Sequence, residues 1–229
     1  MIRLKNIALL SVFLLMLSCG TAIKTIAGFK NPKVETKENI SQFLSDVNSD
    51  EKTYFLGINR PGDSISIYKN FLFGFNSDMY LYSKSGEKYC YKGTEECSGV
   101  QLQSAFKEFE DNYLPCTDDD SENLLTFLEQ IVDSKGNPIE ISSLPPADYY
   151  IFETWNKYSG SQKKLKEDLD WLLGLKNNSN HHIEIILINT DLLEEWGLEK
   201  NGELPIKFKK EGKSMRLTFG KMPFKNSTS

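Results

Sequence analysis

The sequence feature that most constrains the fold is a strand, a helix and a second strand between residues 149 and 188. Tyr149 to Phe152 is a short apolar run, residues 161–176 place leucines on one helical face, and Ile183 to Ile188 is apolar apart from Glu184. Two buried strands joined by a helix of this length form a right-handed parallel crossover. The pattern therefore predicts an α/β fold with a central sheet flanked by helices.

The remaining segments alternate between helical and extended patterns. The 3.6-residue spacing of apolar side chains predicts helices over residues 37–47, 102–111 and 124–131. A short apolar run predicts a strand over residues 54–58. Strands around Ser-Gly and Glu-Gly turns predict two hairpins, one over residues 79–91 and one over residues 204–219.

Composition excludes several classes of function. The chain has 229 residues, of which 39% are hydrophobic and 26% are charged, as in ordinary globular proteins. With 27 basic and 32 acidic residues, the formal charge of −5 argues against a nucleic-acid partner. Four cysteines are too few for a disulfide scaffold.

The amino terminus has the layout of a bacterial signal peptide. Arg3 and Lys5 precede an apolar run from Ile7 to Leu17, which is too short to cross a membrane. Met16-Leu-Ser-Cys-Gly20 resembles the looser lipobox of Bacteroidetes lipoproteins, in which the cysteine thiol takes a diacylglycerol and the acylated terminus adds a further chain. The resemblance implies a signal peptide over residues 1–18, a lipidated Cys19, and a tether over residues 19–36. The alternative is a secreted protein with a chance cysteine near its cleavage site.

A lipidated Cys19 implies a protein of the outer membrane. No acidic cluster follows Cys19, and in the lipoproteins that this segment resembles such clusters accompany export to the cell surface. We therefore expect a periplasm-facing protein rather than a surface-exposed one. Removal of residues 1–18 takes away Arg3 and Lys5 and changes the formal charge from −5 to −7. An acidic body is not attracted to anionic lipid, so the lipid anchor is expected to hold the protein at the membrane.

Residues 133–220 resemble the thioredoxin-like domain of membrane-anchored thiol reductases. Asp133 to Leu144 resembles the opening hairpin of that family, and Tyr150 to Gln162 falls on its strand and active-site turn, with aromatic residues at Trp155 and Tyr158. The resemblance implies a buried carboxylate at Glu153 and a cis-proline at Pro205, before the last hairpin.

The resemblance also implies a domain organisation. It places a thioredoxin-like domain over residues 116–225 and leaves residues 37–115 as an α/β module. The element order in residues 37–115 resembles the later part of the same fold, so two thioredoxin-like modules in tandem are an open alternative.

The sequence departs from the family at the redox motif. Ser159-Gly160-Ser161-Gln162 occupies the place of Cys-x-x-Cys. Thiol exchange needs a thiolate, and a serine hydroxyl supplies neither that anion nor a disulfide. The degenerate turn is therefore expected to be redox-inactive, with Ser159 and Gln162 suited to a helix capping box.

The other candidate residues are three cysteines and two histidines. We expect a structural disulfide between Cys90 and Cys97, while Cys116 could pair with either and leave one thiol free. His181 and His182 adjoin a strand without further ligands at matched spacing, so a loop edge is favoured over a metal site, and neither metal nor cofactor is expected.

These observations favour a non-catalytic, lipid-anchored envelope protein. Its thioredoxin-like fold would bind another protein, as a scaffold or as an accessory subunit of an envelope complex, with no nucleic-acid partner. The alternative is an atypical thiol oxidoreductase that uses Cys90, Cys97 or Cys116.

Overall fold

The structure, a computed structural model, describes residues 30–46, 52–58, 80–91, 112–116, 123–158, 160–211 and 214–225. The chain divides into two compact units. We call the larger one, residues 36–156 and 162–190, the sheet unit. The other, residues 1–35, 157–161 and 191–229, contains both chain ends and is called the terminal unit.

In the part of the chain that the structure describes, the sheet unit is built on seven strands. In spatial order they are β5 (Tyr113–Pro115), β4 (Lys88–Tyr91), β3 (Tyr80–Ser83), β7 (Tyr149–Trp155), β8 (Ile183–Asn189), β2 (Thr53–Leu56) and β6 (Ile131–Val132). The three strands β7, β8 and β2 run parallel, and the other four join antiparallel at the two sides. The sheet is therefore mixed.

Within the described ranges, three helices accompany the sheet: α1 (Lys37–Asp46), α2 (Leu124–Leu128) and α3 (Gln162–Asn178). Helix α3 connects β7 to its parallel neighbour β8, which confirms the predicted crossover. Asn123 caps α2, since its side chain accepts a hydrogen bond from the amide of Thr126 (3.0 Å).

The helices cover both faces of the sheet. Phe127 of α2 packs edge-on against Phe152 of β7, with ring centroids 4.9 Å apart, whereas Phe43 of α1 stacks against Trp155 of the same strand. Phe152 and Trp155 are three residues apart on one strand and so lie on opposite faces. The architecture is a mixed α/β sheet with helices on both sides.

The terminal unit has its own small core. Strand β1 (Val34–Glu35) runs parallel to β9 (Leu192–Leu193), and β10 (Ile206–Glu211) forms an antiparallel hairpin with β11 (Ser214–Phe219). A 3-10 turn covers Glu194–Trp196. Among the described residues, the buried apolar ones here are Val34, Tyr158, Leu192, Leu193, Trp196, Leu198, Leu204, Ile206 and Met222.

Both predicted hairpins are confirmed, at β3–β4 and at β10–β11. The predicted boundary at residues 115/116 is not a structural one, and the tandem-module alternative is wrong. Strands β2 to β5 lie before that boundary and β6, β7 and β8 after it, yet all seven form one sheet. Cross-strand hydrogen bonding joins the two halves because β3 pairs with β7 and β2 pairs with β8.

The predicted helix over residues 102–111 lies outside the described residues. So do the signal peptide, Cys19 and the tether up to residue 29. In the described ranges, no helix combines the length and the apolar character needed to cross a membrane.

Candidate functional site

The best candidate site lies at the carboxyl ends of β7 and β8 in the sheet unit. Ligands of open α/β sheets bind outside the carboxyl ends of parallel strands. Trp155 ends β7 and is paired in register with Asn189, which ends β8. Asn156 and Thr190 follow these strand ends directly.

A chain of hydrogen bonds holds the two strand ends together. The Asn156 Nδ2 donates to Thr190 Oγ1 at 3.2 Å, and the Thr190 amide donates to the Trp155 carbonyl at 2.9 Å. Asn189 and Thr190 are 1% and 2% exposed, so these polar groups are inside the fold. Buried polar groups that are satisfied in this way fix a single arrangement of the backbone.

The indole of Trp155 extends this network to a third strand. Its Nε1 donates to Thr53 Oγ1 of β2 at 2.9 Å, while Phe43 stacks on the ring. Trp155 is 4% exposed, so its role here is packing between α1 and the sheet rather than presentation to a ligand.

Glu153 is the one acidic side chain on β7, two residues before Trp155. Burial raises the pKa of its carboxyl to about 8, and the nearby Asp168 on α3 raises it in the same direction. The Asp168 carboxylate forms an ion pair with Lys164, whose Nζ lies 3.2 Å from Asp168 Oδ2. The Glu153 carboxyl is thus neutral below about pH 8 and can exchange a proton near neutral pH.

The degenerate turn connects β7 to α3. Ser159 lies outside the described residues, and Gly160 and Ser161 precede the helix, which begins at Gln162. The expected capping box depends on Ser159 and therefore stays a prediction. The turn carries no thiol.

The expectation of a cis-proline at Pro205 is wrong. No peptide bond in the described ranges is cis. Pro205 begins the β10–β11 hairpin of the terminal unit, where its carbonyl accepts a hydrogen bond from the amide of Gly220 (2.7 Å). A side chain at Gly220 would come within 3.0 Å of the proline ring, so the pair is closely packed. Pro205 therefore directly precedes β10, whose two-stranded sheet is separate from the sheet that contains β7.

The expected disulfide between Cys90 and Cys97 is also wrong. Cys90 is bonded to Cys116, with Cα atoms 5.0 Å apart, and Cys97 lies outside the described residues. The physical reason is the pairing of β4 with β5, which sets Cys90 opposite Leu114. The Cys116 amide donates a hydrogen bond to the Lys88 carbonyl at 3.0 Å, which brings Cys116 to the same end of β4.

His181 and His182 lie in the loop before β8. The His181 ring packs edge-on against Tyr149, and His182 Nε2 is 3.6 Å from Glu184 Oε1. Within the residues that the structure describes, no three His, Cys, Asp or Glu side chains are grouped so as to hold a metal ion.

Sequence reasoning missed Asn156, Asn189 and Thr190. Their only sequence signature is that polar residues directly follow two apolar strands. Because the predicted crossover sets those two strands side by side, this signature could have identified them.

Comparison of the chain with protein-family models, curated proteins and solved structures finds no match in any of the three.

Proposed function

We propose that this chain is a lipid-anchored protein of the bacterial outer membrane, facing the periplasm, in which a redox-inactive thioredoxin-like fold binds another protein. It acts as a scaffold or an accessory subunit of an envelope complex. The anchor is Cys19, within the lipobox-like Met16 to Gly20.

The observation that carries the non-catalytic part of the proposal is the turn between β7 and α3. The turn sequence, residues 159–162, holds serine, glycine and glutamine, and α3 begins at Gln162. A helix N-terminus lowers the pKa of a cysteine but gives a serine hydroxyl no comparable anion. Dithiol chemistry at this turn has no reacting group.

The disulfide supports the envelope location. Cys90 and Cys116 are joined across β4 and β5. Disulfides persist in oxidising compartments such as the bacterial periplasm and are rare in the cytosol. A periplasm-facing protein would keep this bond.

The thioredoxin-like part of the proposal has support from the sheet. The parallel β7–α3–β8 unit lies beside the antiparallel hairpin β3–β4. The resemblance placed such a hairpin after the crossover, at residues 204–219, whereas the hairpin on β7 comes from residues 80–91. The proposed fold therefore has its hairpin earlier in the chain than the family has.

An atypical thiol oxidoreductase is the second candidate. Cys90 is exposed on β4, so its disulfide with Cys116 is open to an attacking thiolate. If that bond exchanges catalytically, the protein is an enzyme and the scaffold proposal fails.

A dithiol–disulfide assay separates the two candidates. The mature protein and its C90S/C116S variant should both reduce a disulfide substrate no faster than free dithiothreitol does. A wild-type rate above that background that disappears in C90S/C116S would contradict the proposal. The variant S159C/Q162C is the positive control, because it restores two thiols to a thioredoxin-like turn.

The scaffold role is tested in native membranes. The lipidated protein, crosslinked and recovered through a carboxyl-terminal tag, should carry a partner at fixed stoichiometry. Recovery of the protein alone under crosslinking would contradict the accessory-subunit role.

A further inference from the structure

Positive charge is concentrated in the last part of the terminal unit. Residues 204–225 contain seven Lys or Arg residues and a single acid, Glu211. The chain as a whole has a formal charge of −5. The concentration is therefore a local feature that the overall charge conceals.

The β10–β11 hairpin displays this charge. Lys207 pairs with Thr218 and Lys209 pairs with Arg216, so these four positions share one face of the hairpin. Lys207 and Arg216 are exposed, as is Lys221 just beyond the hairpin. We call these three exposed cations, Lys207, Arg216 and Lys221, the basic hairpin surface.

The same unit begins where the tether ends. The Lys30 amide donates to the Tyr158 carbonyl (2.8 Å), and the Val34 amide donates to the Gly202 carbonyl (2.8 Å). Asn31 is hydrogen-bonded to Glu203, and its Oδ1 accepts from the Ile206 amide at the start of β10 (3.1 Å). The first described residues are thus bonded directly to the base of the hairpin.

The chain length between lipid and hairpin is short. Residues 20–29 separate Cys19 from Lys30. Even fully extended, this segment spans at most about 40 Å. An anchor at Cys19 would keep the terminal unit within that distance of the bilayer. Lys30 and Lys33, both exposed, add positive charge at the same end of the chain.

We propose that the basic hairpin surface binds the anionic phospholipid headgroups of the membrane in which Cys19 is anchored. The inference rests on the proposed lipid anchor for its choice of partner. Phosphate groups of a membrane surface attract lysine and arginine side chains, and the attraction falls with ionic strength. The lipid holds the protein, and the hairpin surface orients the terminal unit on the bilayer.

Vesicle binding without the lipid tests this contact alone. The mature chain with Cys19→Ser should bind vesicles of phosphatidylglycerol and phosphatidylethanolamine at low salt. It should dissociate from these vesicles at about 0.5 M salt. It should not bind vesicles of phosphatidylcholine. The variant K207Q/R216Q/K221Q should bind about 100-fold more weakly, from about fivefold per residue.

A matched control removes the same charge from the sheet unit. Lys163, Lys164 and Lys166 on α3 each pair with an acid four residues on, and K163Q/K164Q/K166Q should keep wild-type binding within about twofold. The charge-preserving variant K207R/R216K/K221R should also bind like wild type, which separates lost charge from misfolding.

Three results would overturn the inference: equal loss of binding in the two neutralised variants, no binding of wild type to anionic vesicles at low salt, or hairpin-dependent binding of duplex DNA without vesicle binding. The lipid on Cys19 is measured separately by mass, so failure of the anchor and failure of the hairpin contact are distinguishable.

Discussion

The sheet unit and the terminal unit carry opposite charge. The sheet unit has 25 acidic and 13 basic residues, whereas the terminal unit has 7 acidic and 11 basic residues from residue 30 onward. The formal charge of the whole chain, −5, argues against an anionic partner. This argument holds for the acidic sheet unit but not for the basic terminal unit. The contrast teaches that charge has to be counted for each folded unit, since the terminal unit assembles segments that are distant in the sequence.

The units also differ in what stabilises them. The sheet unit has an aromatic core in which Phe127, Phe152 and Tyr82 touch one another, and a disulfide at one side of its sheet. The terminal unit combines a smaller apolar core with short backbone ladders between residues 31–35 and the segment from 192 to 206. Four substitutions, ordered by expected effect, test this difference.

The largest effect is expected in the aromatic core. Phe152 is fully buried, and Phe152→Ala should lower the free energy of unfolding by about 3–5 kcal/mol, because it removes apolar contacts and leaves a cavity. Leu125→Ala is the control, since Leu125 is 63% exposed and should change stability by under about 0.5 kcal/mol. Denaturant unfolding measures both. Equal effects would show that the aromatic cluster is not the core of the sheet unit.

The disulfide should come next. Cys90 and Cys116 are 26 residues apart, and a loop of this length predicts a loss of about 3 kcal/mol in C90S/C116S. Non-reducing peptide mapping should recover the Cys90–Cys116 peptide pair, and urea unfolding should give the loss. A Cys90–Cys97 peptide pair instead would contradict the pairing of β4 with β5.

Glu153 should make the sheet unit less stable as the pH rises. Its folded pKa, about 8, lies above the ordinary glutamate pKa of 4.5, so its favourable contribution is complete below about pH 4.5 and is lost as pH rises to about 8. Glu153→Gln should therefore equal wild type near pH 4 and exceed it near pH 8 by about 1–3 kcal/mol, which is less than the full rise of the pKa would give because the side chain is only partly buried. Thermal unfolding across this range measures the slope. A wild type that gains stability from pH 5 to 8 relative to Glu153→Gln would contradict a buried, neutral carboxyl.

The smallest effect concerns the terminal unit. Lys157 Nζ lies 2.9 Å from Glu35 Oε1, and the two side chains are 21% and 17% exposed. Lys157→Ala should cost about 1 kcal/mol, because it leaves Glu35 without its cation in a partly buried place. Lys163→Ala is the matched control, since its pair with Glu167 on α3 is exposed and should contribute almost nothing. Chemical unfolding of both variants tests whether this ion pair adds stability to the core and ladders of the terminal unit.

Local patterns were enough to predict the crossover and both hairpins, since periodicity and turn residues act over a few neighbours. The pairing of β3 with β7 joins Leu81 to Ile151, and nothing in either short run identifies its partner. That long-range pairing sets the strand order of the sheet, and the pairing of β4 with β5 sets the Cys90–Cys116 bond. The buried Asn189 and Thr190 were missed for the same reason, because only the assembled sheet brings them beside Asn156.

The most direct test of the account is the mass of the amino-terminal peptide of protein purified from native membranes. A lipid-anchored protein predicts a peptide that begins at Cys19 and carries a diacylglyceryl group and an additional acyl chain. An unmodified Cys19, or a peptide that begins elsewhere, would contradict the lipid anchor and with it the membrane as the partner of the basic hairpin surface.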